Sequence, residues 1–93
     1  MSAPLLVIDS GNTRVKVGLY ADGVLRSTRS AAPDGLPRLV RQVASEPWQA
    51  ALMADTGGHA DRLTELLAGA APGRPVRRLA ASMPLPLQLG YDT

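Results

Sequence analysis

The sequence predicts an α/β domain built on a mixed β-sheet, and three observations point there. The first thirty residues read as three consecutive strands joined by tight turns. Beyond them the apolar spacing changes to that of helices, and helix and strand then alternate. Finally, 45% of the 93 residues are hydrophobic and 19% are charged, with no long polar tract, which fits a folded chain of one small domain.

The elements follow in order. Leu5 to Ile8 is a continuous apolar run, the pattern of a strand covered on both faces. From Arg14 to Tyr20 the pattern alternates, with Val15, Val17 and Leu19 facing one way and Arg14, Lys16 and Tyr20 the other. Asp22-Gly23 supplies the positive φ angles of a two-residue hairpin, and Val24 to Arg29 returns as a third strand. Leu36, Leu39, Val40 and Val43 fall at helical spacing, with Pro37 tolerated in the first turn, and Pro47 ends that helix. Residues 50–54, "AALMA", form a fourth strand, followed by the loop Asp55-Thr56-Gly57-Gly58-His59. Leu63, Leu66 and Leu67 mark a second amphipathic helix, closed by "GAAPGRP". Val76 to Leu79 is a fifth, edge-like strand, and the tail "SMPLPLQLGYDT", with two prolines, runs extended. The order β-β-β-α-β-α-β resembles the ribonuclease H-like fold, which also forms each half of the actin-like kinases. There one more helix follows the fifth strand. The expectation is therefore an N-terminal domain over 1–93, incomplete by that helix, with a second kinase domain absent from the chain.

Composition narrows the partners. The net charge of +2 comes from nine Arg and one Lys, against eight acids, and the cations are spread along the chain. That argues against a nucleic-acid partner. Cysteine is absent, so no disulfide or thiolate site exists and a reducing compartment is the default. The N-terminal apolar run stops at Asp9, too short for a signal peptide, and nothing approaches the ~20 apolar residues of a membrane span. The cytoplasm is the expected location, with no membrane partner.

The chemistry lies in "VIDSGNT". A central first strand places Asp9 at its carboxyl end, where open α/β sheets hold their ligands. Gly11 keeps a Cβ out of the turn so that a phosphate can approach backbone N–H groups, and Asn12 and Thr13 add short donors. Asp9 repels a phosphate, so its useful role is to hold Mg²⁺, which bridges to the phosphates. Lys16, the single lysine, either adds positive charge near a transferring phosphoryl group or belongs to a solvated strand face. The alternative for the whole loop is a polar turn in which Asp9 or Asn12 caps backbone groups.

"VIDSGNT" followed by "VKVGLY" resembles the first phosphate motif of the type III pantothenate kinases, within the acetate and sugar kinase, heat-shock and actin superfamily. The tail "MPLPLQLGYDT" is similar to that family's lead-in to Gly-x-Asp-Arg and stops at Thr93, before that motif. The resemblance implies ATP-dependent phosphorylation of pantothenate, the first step of coenzyme A synthesis. By position, Asp9 would organise Mg²⁺; Ser10, Gly11, Asn12, Thr13 and Lys16 would make up the ATP-phosphate site; Tyr91 would lie beside the pantothenate pocket. The family's general base, the Asp of Gly-x-Asp-Arg, is expected beyond Thr93, so no catalytic base is assigned within this chain. The resemblance also implies Mg²⁺ with ATP, a monovalent cation (K⁺ or NH₄⁺) and a homodimer of the full-length protein. One wall of a cleft without the base is expected to turn over negligibly.

One departure stands out: where the family has a segment such as Ser-Val-Val-Pro, this chain has "ADTGGH". Asp55-Thr56-Gly57-Gly58 echoes Asp9-Ser10-Gly11-Asn12, but a glycine turn between strand and helix explains it, and Asp61 then suits the first turn of the helix. A rival enzyme is a two-metal ribonuclease H-like nuclease using Asp9, Asp55 and Glu46, although Glu46 stands at the helix end beside Pro47. A third class is a non-catalytic binding or regulatory module, since some proteins of the family were first described as accessory factors for gene expression. His59 lacks a ligand partner at metal spacing and reads as a loop or helix-start residue. Trp48 reads as packing beneath the first helix, Arg77 and Arg78 as solvated, and Tyr91 as either a tail residue or a pocket residue.

Overall fold

A computed structural model describes residues 4–55 and 57–79. It contains β1 (Leu5–Ser10), β2 (Val15–Ala21), β3 (Val24–Ala31), α1 (Leu36–Ala44), β4 (Ala50–Asp55), α2 (Ala60–Ala70) and β5 (Val76–Arg78), with a 3₁₀ turn at Pro33–Gly35 before α1. The sequence reading of the order β-β-β-α-β-α-β holds, and the strands prove longer at several ends. The short 3₁₀ turn was not foreseen; Pro33 starts it and Leu36 continues directly into α1. The tail from residue 80 onward, with the expected extended run and Tyr91, lies outside the described residues.

The five strands lie in the order β3-β2-β1-β4-β5, so β1 is central and β5 is an edge, as expected. β1 pairs antiparallel with β2 and parallel with β4, and β4 pairs parallel with β5. The hairpin between β2 and β3 turns on Asp22 (φ 54°) and Gly23 (φ 76°), the two left-handed residues of a type I′ turn. Between Leu19 and Tyr20 the β2–β3 register slips by one, because Leu19 pairs with Ser27 and Tyr20 with Leu25. This bulge leaves Arg26 as the extra residue of β3.

Strand alternation divides the sheet into two faces. Leu6, Ile8, Val15, Val17, Leu19, Ala51 and Met53 point to one face and pack with Leu36, Leu39, Val40, Val43, Ala60, Leu63 and Leu67. Both helices therefore cover the same face. On the other, Val7 is wholly buried among Leu5, Tyr20, Ala54 and Leu79.

Trp48 is fully buried, and its indole Nε1–H donates to the Val43 carbonyl at 2.8 Å. Arg74 lies over the ring at 4.7 Å and donates from Nη1 to the carbonyls of Ala44 (3.3 Å) and Glu46 (2.9 Å). Together these two side chains add hydrogen bonds to carbonyls of the last turn of α1 and of the segment just after it. Trp48 thus packs beneath α1 as expected, while the part played by Arg74 has no sequence signature.

Candidate functional site

The loops that follow β1 and β4 leave the sheet from the same edge, because those two strands are parallel neighbours. The chain runs from β1 to β2 on one side, while β4 lies on the other, which makes this edge a topological switch point where α/β sheets collect ligands. Asp9, half-buried, is the penultimate residue of β1. It stands opposite Lys16 of β2 and opposite Ala54 of β4. Cross-strand partners share a face, so Asp9 and Lys16 form an acid–base pair of positions on the face away from the helices.

The neighbouring residue serves the opposite face. Ser10 is 0% exposed and stands opposite Val15, which belongs to the helix-covered core. Its side chain therefore does not line the loop, and its carbonyl accepts the Gly57 N–H at 3.0 Å. The Gly11 N–H donates to the Arg14 carbonyl at 3.0 Å, so Gly11 shapes the turn with its amide already engaged. A Cβ on Gly11 would sit 3.1 Å from that carbonyl oxygen, which is why a residue without one suits this tight turn. Asn12, Thr13 and Arg14 are exposed, and Arg14 Nη2 donates to Ser30 Oγ at 3.0 Å. Of the residues expected to meet phosphate, the structure gathers Asp9, Asn12, Thr13 and Lys16 around the end of β1. It places Ser10 in the core and Gly11 in a structural role.

A cavity of about 220 Å³ opens one strand away, lined by Lys16, Thr28, Arg29 and Ser30. Lys16 thus stands between Asp9 and a polar, cationic recess. Among the described residues no group of three or more His, Cys, Asp or Glu side chains converges on a common point. A single carboxylate at a strand end suits Mg²⁺, which keeps waters and phosphate oxygens as most of its ligands.

The other acids are placed differently. Asp55 pairs with Ser10, one residue past the position opposite Asp9, which Ala54 occupies. Glu46 forms an ion pair with Arg29 of β3, Nη2 to Oε1 at 3.0 Å. Asp61 stands in the first turn of α2, as expected, and pairs with Arg78 of β5. Arg78 is thus exposed, as the sequence reading had it, and also engaged in an ion pair. His59 directly precedes α2. Tyr91, expected beside a substrate pocket, lies outside the described residues.

Sequence reasoning passed over Gly57 as an ordinary turn residue. An ideal Cβ there would lie 2.1 Å from the Gly11 oxygen, 2.3 Å from the Gly11 carbon and 2.7 Å from the Asn12 nitrogen. The two loops are in backbone contact. The signal was present in the echo of Asp-Thr-Gly-Gly with Asp-Ser-Gly-Asn, but contact between them required the parallel pairing of β1 and β4.

No protein-family model matches this chain, and no curated protein matches it. Among solved structures it is similar to Thermus thermophilus RuvC ("T. thermophilus RuvC in complex with Holliday junction substrate"), at 14% identity and a TM-score of 0.57, covering 84% of this chain and 64% of that one. It is also similar to the Aquifex aeolicus PPX-GPPA enzyme, at 12% identity and a TM-score of 0.46, covering 83% of this chain and 36% of that one. The chain spans less than two thirds of either neighbour's length. At such identity the RuvC likeness bears on architecture, and with the strand order β3-β2-β1-β4-β5 it makes this a ribonuclease H-like α/β fold.

Proposed function

We propose that this chain is the phosphate-loop-bearing N-terminal part of an ATP-dependent kinase of the type III pantothenate kinase kind, phosphorylating pantothenate. The observation that carries the reading is the placement of Asp9 at the carboxyl end of the central strand, opposite Lys16 and next to the exposed Asn12-Thr13 turn. Asp9 would hold Mg²⁺ through carboxylate oxygens, and Asn12 and Thr13 would meet phosphate oxygens. When bound, Mg²⁺ supplies neutralising charge to the phosphates. Lys16 adds a second positive charge on the same face. Pantothenate rests on the resemblance of the two motifs, and the general base would stand beyond Thr93. The test is pantothenate-dependent ADP release by the full-length protein, with Asp9→Asn alongside. Loss of turnover in Asp9→Asn with the fold retained supports the reading. Turnover equal to wild type sinks it.

The fold likeness to RuvC keeps a two-metal nuclease as the second reading. Its chemistry calls for carboxylates gathered around a pair of metal ions. Here Ala54 holds the position opposite Asp9, and Glu46 is bound by Arg29. Mg²⁺-dependent cleavage of an RNA–DNA hybrid, abolished by Asp55→Ala, would reverse the preference. A non-catalytic module would instead keep its partner binding in Asp9→Asn.

A further inference from the structure

We infer that Gly57 is a positioning residue for the Asn12-Thr13 turn: the missing Cβ lets the loop after β4 press against the loop after β1 and set the direction of its N–H groups. The inference rests on the phosphate-loop reading of Asp9–Thr13 and names the residue that holds that loop in place.

Three observations carry it. The Gly57 N–H donates to the Ser10 carbonyl at 3.0 Å, which ties the two loops together just past the strands. The three atoms nearest to a Gly57 Cβ are all main-chain, at 2.1–2.7 Å, so no side chain swinging aside would relieve the contact. Main chain must therefore shift, either the Gly11–Asn12 peptide or the loop that carries Gly57. Gly57 also has no left-handed φ, in contrast to Gly58 at +81°. The recorded obstacle to a side chain at Gly57 is therefore the neighbouring loop rather than a left-handed torsion.

Gly58 provides the internal control. A Cβ there meets nothing within 4 Å, so Gly58→Ala strains its own backbone but does not push on Gly11. Two adjacent glycines are thus required for unrelated reasons, one by space and one by torsion. Groups that recognise phosphate must be held within about 0.5 Å of the productive geometry, and a displacement of about 1 Å can cost as much as 10²-fold. Gly57→Ala is expected to force a shift of that size.

The experiment is an NMR titration of the ¹⁵N-labelled full-length protein with Mg·ATP, following the Gly11, Asn12 and Thr13 amides in wild type, Gly57→Ala and Gly58→Ala. Without nucleotide, Gly57→Ala should displace the Gly11 and Asn12 resonances, while Gly58→Ala should leave them in place. With nucleotide, Gly57→Ala should weaken binding at least tenfold and Gly58→Ala less than threefold. A wild type whose amides ignore millimolar Mg·ATP overturns the phosphate-loop reading, and this inference with it. A wild type that responds, with Gly57→Ala binding equally well, leaves the loop reading intact and overturns the role of Gly57. Exchange of the Gly57 amide in wild type covers the case in which Gly57→Ala does not fold. Slower exchange on Mg·ATP binding supports the joint, and unchanged exchange beside a shifted Asn12 amide refutes it.

Discussion

The two faces of the sheet divide the labour of the molecule, and β1 shows it residue by residue. Leu6, Ile8 and Ser10 point toward α1 and α2, into a core built from both helices. Leu5, Val7 and Asp9 point the other way, where a smaller cluster around Val7 ends in a carboxylate opposite Lys16. One six-residue strand therefore feeds the larger core on its even positions and a smaller cluster, ending in the candidate carboxylate Asp9, on its odd ones. A substitution that damages one set is expected to spare the other, and a series of variants can test how clean that separation is.

The largest effect is expected on the helix-covered face. Trp48→Ala removes a fully buried indole, its hydrogen bond to Val43 and the platform under Arg74, and should cost about 3–5 kcal/mol by urea denaturation. Against a typical total of about 5–15 kcal/mol, that is enough to threaten folding. Ile8→Ala, one position before Asp9, should cost about 3 kcal/mol by opening a cavity between β1 and the helices. Val7→Ala, on the other face of the same strand, should cost about 2 kcal/mol, because fewer methyl groups are lost from a smaller cluster. A cost for Val7→Ala above that for Ile8→Ala would reverse the ranking of the two faces.

Arg74→Ala should cost about 1 kcal/mol, with the loss of its stacking on Trp48 and of its bonds to the Ala44 and Glu46 carbonyls. Asp9→Asn sharpens the comparison from the other side. Its stability should stay within about 0.5 kcal/mol of wild type while Mg·ATP binding by calorimetry is lost. If Asp9→Asn instead destabilises the chain while its folded fraction still binds nucleotide, the polar-turn reading of the loop gains.

Much of this was legible in the sequence. The hairpin at Asp22-Gly23 and the two amphipathic helices follow from turn chemistry and periodicity, which are local properties, whereas the central place of the first strand followed from the resemblance of the element order to a known fold. The bulge at Leu19/Tyr20 was not legible, because register is settled by the partner strand. Of the candidate site, Asp9, Asn12, Thr13 and Lys16 could be named from one short motif. Ser10 could not be assigned to a face until its neighbours were known. Arg74 and Gly57 act through residues distant in sequence, Trp48 and Ala44 for the one, Gly11 for the other.

By itself, then, the sequence determined the kinds of element, their order and the presence of an acidic turn at the end of the first strand. Each of these depends on residues within a few positions of one another. The tertiary structure decided which residues meet across that order. Parallel pairing of β1 with β4 brought Gly57 against Gly11, put Ala54 rather than Asp55 opposite Asp9, and turned Ser10 toward the helices. A shift of one residue in a strand changes the face on which a side chain stands, so only the register itself can make those choices.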